Sequence, residues 1–129
     1  MIKMVGWDIS NTYAVLGPDG VAELRAIGTP LAHFCIDIQK TLQQIALTRT
    51  GLESFDLPDP IAMAIALDPS VATDTQRRFV AIETQSDLCR GQSVVDHLRV
   101  TGHIPNAEVV SEASREKFIQ MLFDAVLRK

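Results

Sequence analysis

The sequence predicts an α/β fold, and three observations carry that expectation. The composition is 47% apolar and 22% charged with few aromatics, the profile of a chain with buried strands. An apolar run at the start reads as a buried strand, and a later stretch repeats apolar residues at helical spacing until a glycine. At 129 residues the chain can bury one real core but not two, so it reads as one domain or part of one.

Taken in order, Ile2, Met4, Val5 and Trp7 form the first strand, broken only by Lys3 and Gly6 and leading to a loop at Asp8-Ile9-Ser10-Asn11. A core strand at residue 1, with no polar lead-in, predicts a missing preceding portion. Pro18-Asp19-Gly20 is turn chemistry, and Val21, Leu24 and Ile27 then suggest a short helix closed by Gly28. A longer helix follows. Thr29 can cap it with Pro30 at its first position, and Leu31, Phe34, Cys35, Ile38, Leu42 and Ile45 keep helical spacing until Gly51.

Residues 51–60 read as a loop, and a small-residue apolar helix runs from about Ile61 to Leu67, stopping at Asp68-Pro69. Phe79-Val80 with Ile82, Val94-Val95 and Val109-Val110 mark three short strands. Ser114 can cap a last helix that carries Phe118, Met121, Leu122, Ala125 and Val126 on one side, with Arg128 and Lys129 suited to its negative end.

A formal charge of −4 and a pI near 5.2 provide no basic face, so binding to a nucleic acid polymer is not expected. No apolar run approaches the roughly 18 residues of a membrane span. Cys35 and Cys89, in a chain with no secretory apolar segment at its start, read as reduced, buried thiols, and the expected compartment is the cytoplasm.

The chemistry-bearing residues are few. Asp59, in Leu57-Pro58-Asp59-Pro60, precedes an apolar helix where a carboxylate gains from free backbone N–H groups. Spacing alone favours a helix N-cap, with metal ligation or catalysis as the alternative. Asp8, at a strand end where ligands gather in open α/β sheets, is a second ligand or an ordinary turn residue. Asp56 and Asp68 read as turn and cap residues. His33, His97 and His103 lack metal-ligand spacing, and no glycine-rich phosphate loop is present. Trp7 and Phe55 are aromatics that either stack on a flat ligand or belong to the core.

Five segments in order change this picture: Met4-Val5-Gly6-Trp7-Asp8-Ile9-Ser10, Asp59-Pro60-Ile61-Ala62-Met63-Ala64, Leu67-Asp68-Pro69-Ser70, Val80-Ala81-Ile82-Glu83-Thr84 and Arg90-Gly91-Gln92-Ser93-Val94-Val95-Asp96. Their order and gaps resemble the inosine-uridine-preferring nucleoside hydrolase family. The resemblance covers essentially the whole chain but only about the last two fifths of a family member. It implies the carboxy-terminal part of an open, mostly parallel-sheet nucleoside hydrolase fold, with residues 1–129 as a single partial domain. It also implies hydrolysis of the N-glycosidic bond of a ribonucleoside to free base and ribose, at a Ca2+ that holds the ribose hydroxyls and the attacking water.

By the same resemblance Asp59 matches the late calcium-ligating aspartate, and Phe55 and Pro58 border the base. The family's amino-terminal Asp-x-Asp cluster and its ribose-gripping Asn/Glu group have no counterpart here. Pro58 stands where one branch has a histidine that protonates the leaving base and another has a tryptophan. The expectation is therefore one calcium-binding wall of a site, inactive alone and completed by a missing amino-terminal portion or within a homo-oligomer. The alternative is a non-catalytic binding or assembly module that pairs through the helix from Thr29 to Thr48.

Overall fold

The computed structural model describes residues 1–51 and 54–127. Arg128 and Lys129, expected to close the last helix, lie outside the described residues. The first strand, β1 (Ile2–Met4), is shorter than its apolar run. Gly6, with extended φ and ψ, is the N-cap of α1 (Trp7–Tyr13), and its carbonyl accepts from the Ile9 N–H at 3.1 Å. Trp7 and Asp8 therefore open a helix rather than end a strand. The apolar run misled because its downstream half is one face of a helical turn: Ile9 and Ser10 are buried while Trp7 and Asp8 face outward.

β2 (Val15–Leu16) leads to α2 (Pro18–Ala26), which starts at the predicted turn itself with Pro18 in its first turn. Gly28, at φ +73°, takes the left-handed conformation that glycine adopts without strain after a helix. The long helix expected up to Gly51 is two, α3 (Pro30–Asp37) and α4 (Lys40–Thr50). The apolar repeat runs through the break, and neither proline nor glycine stands there to announce it. At the break Asp37 Oδ1 meets Arg25 Nη2 at 2.9 Å and Lys40 Nζ at 3.0 Å. Thr29 caps α3 as predicted, its Oγ1 accepting from the Ala32 N–H at 3.1 Å.

Part of the expected loop at 51–60 is a strand, β3 (Phe55–Asp56), paired antiparallel with β2 so that Leu16 faces Phe55 and Val15 faces Asp56. α5 (Pro58–Leu67) carries Pro58 in its first turn, where a missing N–H costs nothing. A 3-10 turn at Pro69–Val71 follows, with Asp68 Oδ1 accepting from the Ser70 N–H at 2.9 Å, the cap role expected of Asp68. Next come β4 (Ala72–Arg78), β5 (Val80–Ile82), β6 (Ser93–Val95), β7 (Ala107–Ala113) and α6 (Arg115–Leu127). Ser114 Oγ accepts from the Lys117 N–H at 3.3 Å, as its predicted capping role requires.

The α/β expectation holds, with a mixed sheet in the order β1-β7-β4. β1 joins β7 in parallel, Ile2 opposite Ala107 and Met4 opposite Val109, while β4 joins β7 antiparallel. The pairing is thus less parallel than the sequence reading expects, and β5 and β6 form a separate antiparallel ribbon. Ile9, Phe55, Leu57, Ile61, Ile65, Val71, Val110 and Phe118 form the main core, so α1, α5 and α6 meet over β7. Leu24, Ala32, Ile36 and Val126 form a smaller cluster that seats α3 on the end of α6. Cys35 and Cys89 are free thiols, each half-buried rather than fully buried. Among the described residues no helix is long and apolar enough to cross a membrane.

Candidate functional site

The segment between β3 and α5 places four of the singled-out residues within five positions. Phe55 is buried, 6% exposed, because its place opposite Leu16 turns it into the main core. Asp56, its neighbour, points the other way along the pleat. Its Oδ2 accepts from Trp7 Nε1 at 2.7 Å and from Ser10 Oγ at 2.8 Å, contacts that join residues 49 and 46 positions apart. Both contacts reach α1, so its first turn is tied to β3 through one carboxylate oxygen.

Ser10 is fully buried and Trp7 is 69% exposed. The carboxylate thus lies between a core hydroxyl and a surface indole. Trp7, Asn11, Leu42, Ile45, Arg49, Phe55 and Asp56, with their neighbours, line an open cleft of about 760 Å3 between α1 and α4. That volume is in the range of small-molecule sites.

Asp59 stands in the first turn of α5 and is exposed, as is Pro58. Leu57, not Asp59, is the N-cap of that helix, and no side chain caps it. Spacing favoured a capping Asp59, but the prolines on either side start the helix early and put Asp59 inside it. There its charge still complements the positive helix end. Neither Pro58 nor Asp59 lines the cleft that holds Asp56. Asp8, in the first turn of α1, folds its carboxylate back over the N-cap, so a Cβ on Gly6 would fall 2.2 Å from Asp8 Oδ1.

Among the described residues no group of three His, Cys, Asp or Glu side chains converges as a cation site would require. Ca2+ takes six to eight oxygens. Of the histidines, His103 packs its ring against Phe79 with centroids 4.5 Å apart.

Sequence reasoning missed Asp56, which it read as a turn residue, and Ser10, which it placed in a loop. No local signal could have found them, since the bonds that give them a role close over more than forty residues.

The model of the inosine-uridine preferring nucleoside hydrolases matches residues 1–120. The chain belongs to that family. As a nucleoside hydrolase family member it is 30% identical over 122 residues to the pyrimidine-specific ribonucleoside hydrolase RihA of Enterobacter sp. (strain 638), covering 94% of this chain and 38% of that protein. It is 31% identical over 124 residues to RihA of Shigella flexneri, covering 95% and 39%. The fold matches a plant nucleoside hydrolase, PpNRh1, with a TM-score of 0.83 at 16% identity over 97% of this chain and 41% of that one. It also matches a purine-preferring ribonucleoside hydrolase from Gardnerella vaginalis, with a TM-score of 0.73 at 19% identity over 97% and 40%. This nucleoside hydrolase chain therefore spans about two fifths of the length of the relatives it matches.

Proposed function

We propose that the chain is the carboxy-terminal portion of a nucleoside hydrolase and supplies one wall of its site. In this reading Asp59 contributes one oxygen ligand to Ca2+, Phe55 and Pro58 border the base end, and the substrate is a ribonucleoside cleaved to base and ribose. The observation that carries it is the family match over residues 1–120 together with an exposed, unpaired-by-cap carboxylate at the start of α5. When bound, such a cation orients and acidifies water. Pro58 has no side-chain proton and no backbone N–H, so it cannot protonate a leaving base. Phe55, itself in β3, packs into the main core and lines the neighbouring cleft. The chain by itself is inactive, because one carboxylate does not make a cation site.

The relatives' names include a pyrimidine-specific and a purine-preferring enzyme, so membership of the family does not fix the base. The test is a Ca2+ titration of the 129-residue chain followed residue by residue by NMR. Weak, roughly millimolar perturbation centred on residues 58–60 and lost in Asp59→Asn is expected. Perturbation centred elsewhere would remove Asp59 from the cation site, and Ca2+-dependent release of ribose from inosine or uridine would overturn the inactivity.

A second reading, a non-catalytic assembly module, has its own supporting observation. Phe34 on α3, Ile38 at its C-cap, and Leu42 and Ile45 on α4 are 59%, 56%, 46% and 44% exposed, and exposed apolar surface commonly means association. A stable monomer by size-exclusion chromatography with light scattering would count against it.

A further inference from the structure

We infer that Trp7 is the surface on which the nucleobase stacks, a specificity-determining residue held in place by Asp56 and Ser10. The inference rests on the nucleoside hydrolase reading above and deepens it by placing the flat face of the base in the cleft between α1 and α4, which Phe55 lines and Pro58 does not. A tryptophan in the core buries its ring, yet Trp7 leaves 69% of itself exposed at the edge of a cleft of about 760 Å3. Its polar atom is not what reaches solvent. The indole N–H is bound to Asp56 Oδ2 at 2.7 Å.

That bond fixes the ring at one end and leaves apolar surface for a ligand. Asp56 is itself positioned by β3, through its pairing with Val15, and by the Ser10 hydroxyl at 2.8 Å. Ser10 is fully buried, so the chain of contacts from Ser10 to Asp56 to Trp7 anchors the indole to the core. A ring held this way loses little freedom when something stacks on it.

The facing wall has the matching chemistry. Leu42, Ile45 and Arg49 recur at helical spacing on one side of α4 and line the same cleft. Asn11 and Arg49 supply hydrogen-bonding groups around apolar walls. A ligand with flat apolar faces and polar edges fits this set, which describes a nucleobase better than a sugar. A bare ribose has no flat aromatic face to stack on an indole.

Trp7 is the single tryptophan of the chain, so its fluorescence reports this position alone. Titration of the 129-residue chain with uridine, inosine, uracil, hypoxanthine and ribose should give saturable quenching by the bases and nucleosides and none by ribose. By calorimetry, Trp7→Ala should weaken base binding at least fivefold, the low end of what one stacked base contributes. Trp7→Phe keeps a stacking face but has no N–H, so it should bind with intermediate affinity and make Asp56→Ala without further effect. In the wild-type background Asp56→Ala should weaken binding severalfold.

Equal affinity in Trp7→Ala, or no quenching by any base at tens of millimolar, overturns the inference. So does quenching by ribose alone. Asp59→Asn separates the two readings, since it should leave base quenching intact while abolishing the Ca2+ response. Loss of the Ca2+ response with unchanged base binding to Trp7→Ala would sink the stacking assignment and spare the cation wall. Base binding through Trp7 with no Ca2+ response at Asp59 would do the reverse.

Discussion

Ser10 Oγ lies 2.8 Å from Asp56 Oδ2 and 3.0 Å from the Trp7 carbonyl oxygen, and Ser10 is fully buried. One hydroxyl proton serves mainly one acceptor, and the shorter, charged partner takes it. Ser10→Ala would leave Asp56 with the Trp7 N–H as its remaining side-chain donor. Hydrogen bonds to charged groups contribute about 1.5–3 kcal/mol, and the half-exposed carboxylate recovers part of that from water. The expected loss is about 1–2 kcal/mol, read as a lower urea midpoint with an unchanged slope.

Thr29 joins two distant helix ends. Its Oγ1 accepts from the Ala32 N–H to cap α3 and donates to the Val126 carbonyl at 2.6 Å, near the end of α6. Thr29→Val keeps shape but removes both bonds, leaving a free N–H on α3 and a free carbonyl on α6. Loss of the cap alone costs about 1 kcal/mol, so a drop of about 1–2 kcal/mol in denaturant unfolding is expected. Thr29→Ser should retain most of it.

Phe118 is 1% exposed at the centre of the main core, whereas Leu98 is 83% exposed. Truncating a buried phenylalanine removes its burial and leaves a cavity, at about 3–5 kcal/mol. Leu98→Ala should stay within about 0.5 kcal/mol of the wild type. Comparable losses from the two in thermal unfolding would mean that the loop carrying Leu98 is covered in solution by another surface.

What the residues disclosed in advance follows the range of the interactions involved. Thr29-Pro30, Ser114 and Asp68-Pro69 act on groups within a few positions, and each stands at the helix end it predicted. β4 was invisible. Its Ala-Thr-Asp-Thr-Gln-Arg-Arg alternates in burial with Ala72 as the one apolar residue on the inner face, so its pairing with β7 is what makes it a strand. The break between α3 and α4 was equally hidden, because no proline or glycine marks it. Asp59 stands out in the sequence through its proline setting and the family resemblance, whereas the Asp56 network is not legible there, because its partners come from α1.

Acid should weaken the fold through carboxylates that stand below their ordinary range. Asp96 lies below 3.8 mainly because the Thr101 hydroxyl donates to it, with help from the Thr101 and Val100 N–H groups. Asp74 is lowered by Ser111 and Gln76, and Glu83 lies below 4.5 through the Ser86 and Gln85 N–H groups. A carboxyl depressed in the folded state binds its proton less readily than in the unfolded chain. Its stabilisation is therefore complete above the unfolded values, about 3.9 for Asp and 4.3 for Glu, and is lost as pH falls through the lower folded values. From these groups, stability should be level between pH 7 and about 5 and decline below about 4. Asp96→Asn should be less stable at pH 7 and show a shallower decline in acid. Urea unfolding of both proteins at pH 7, 4 and 3 checks this, and parallel acid declines would remove Asp96 from the account.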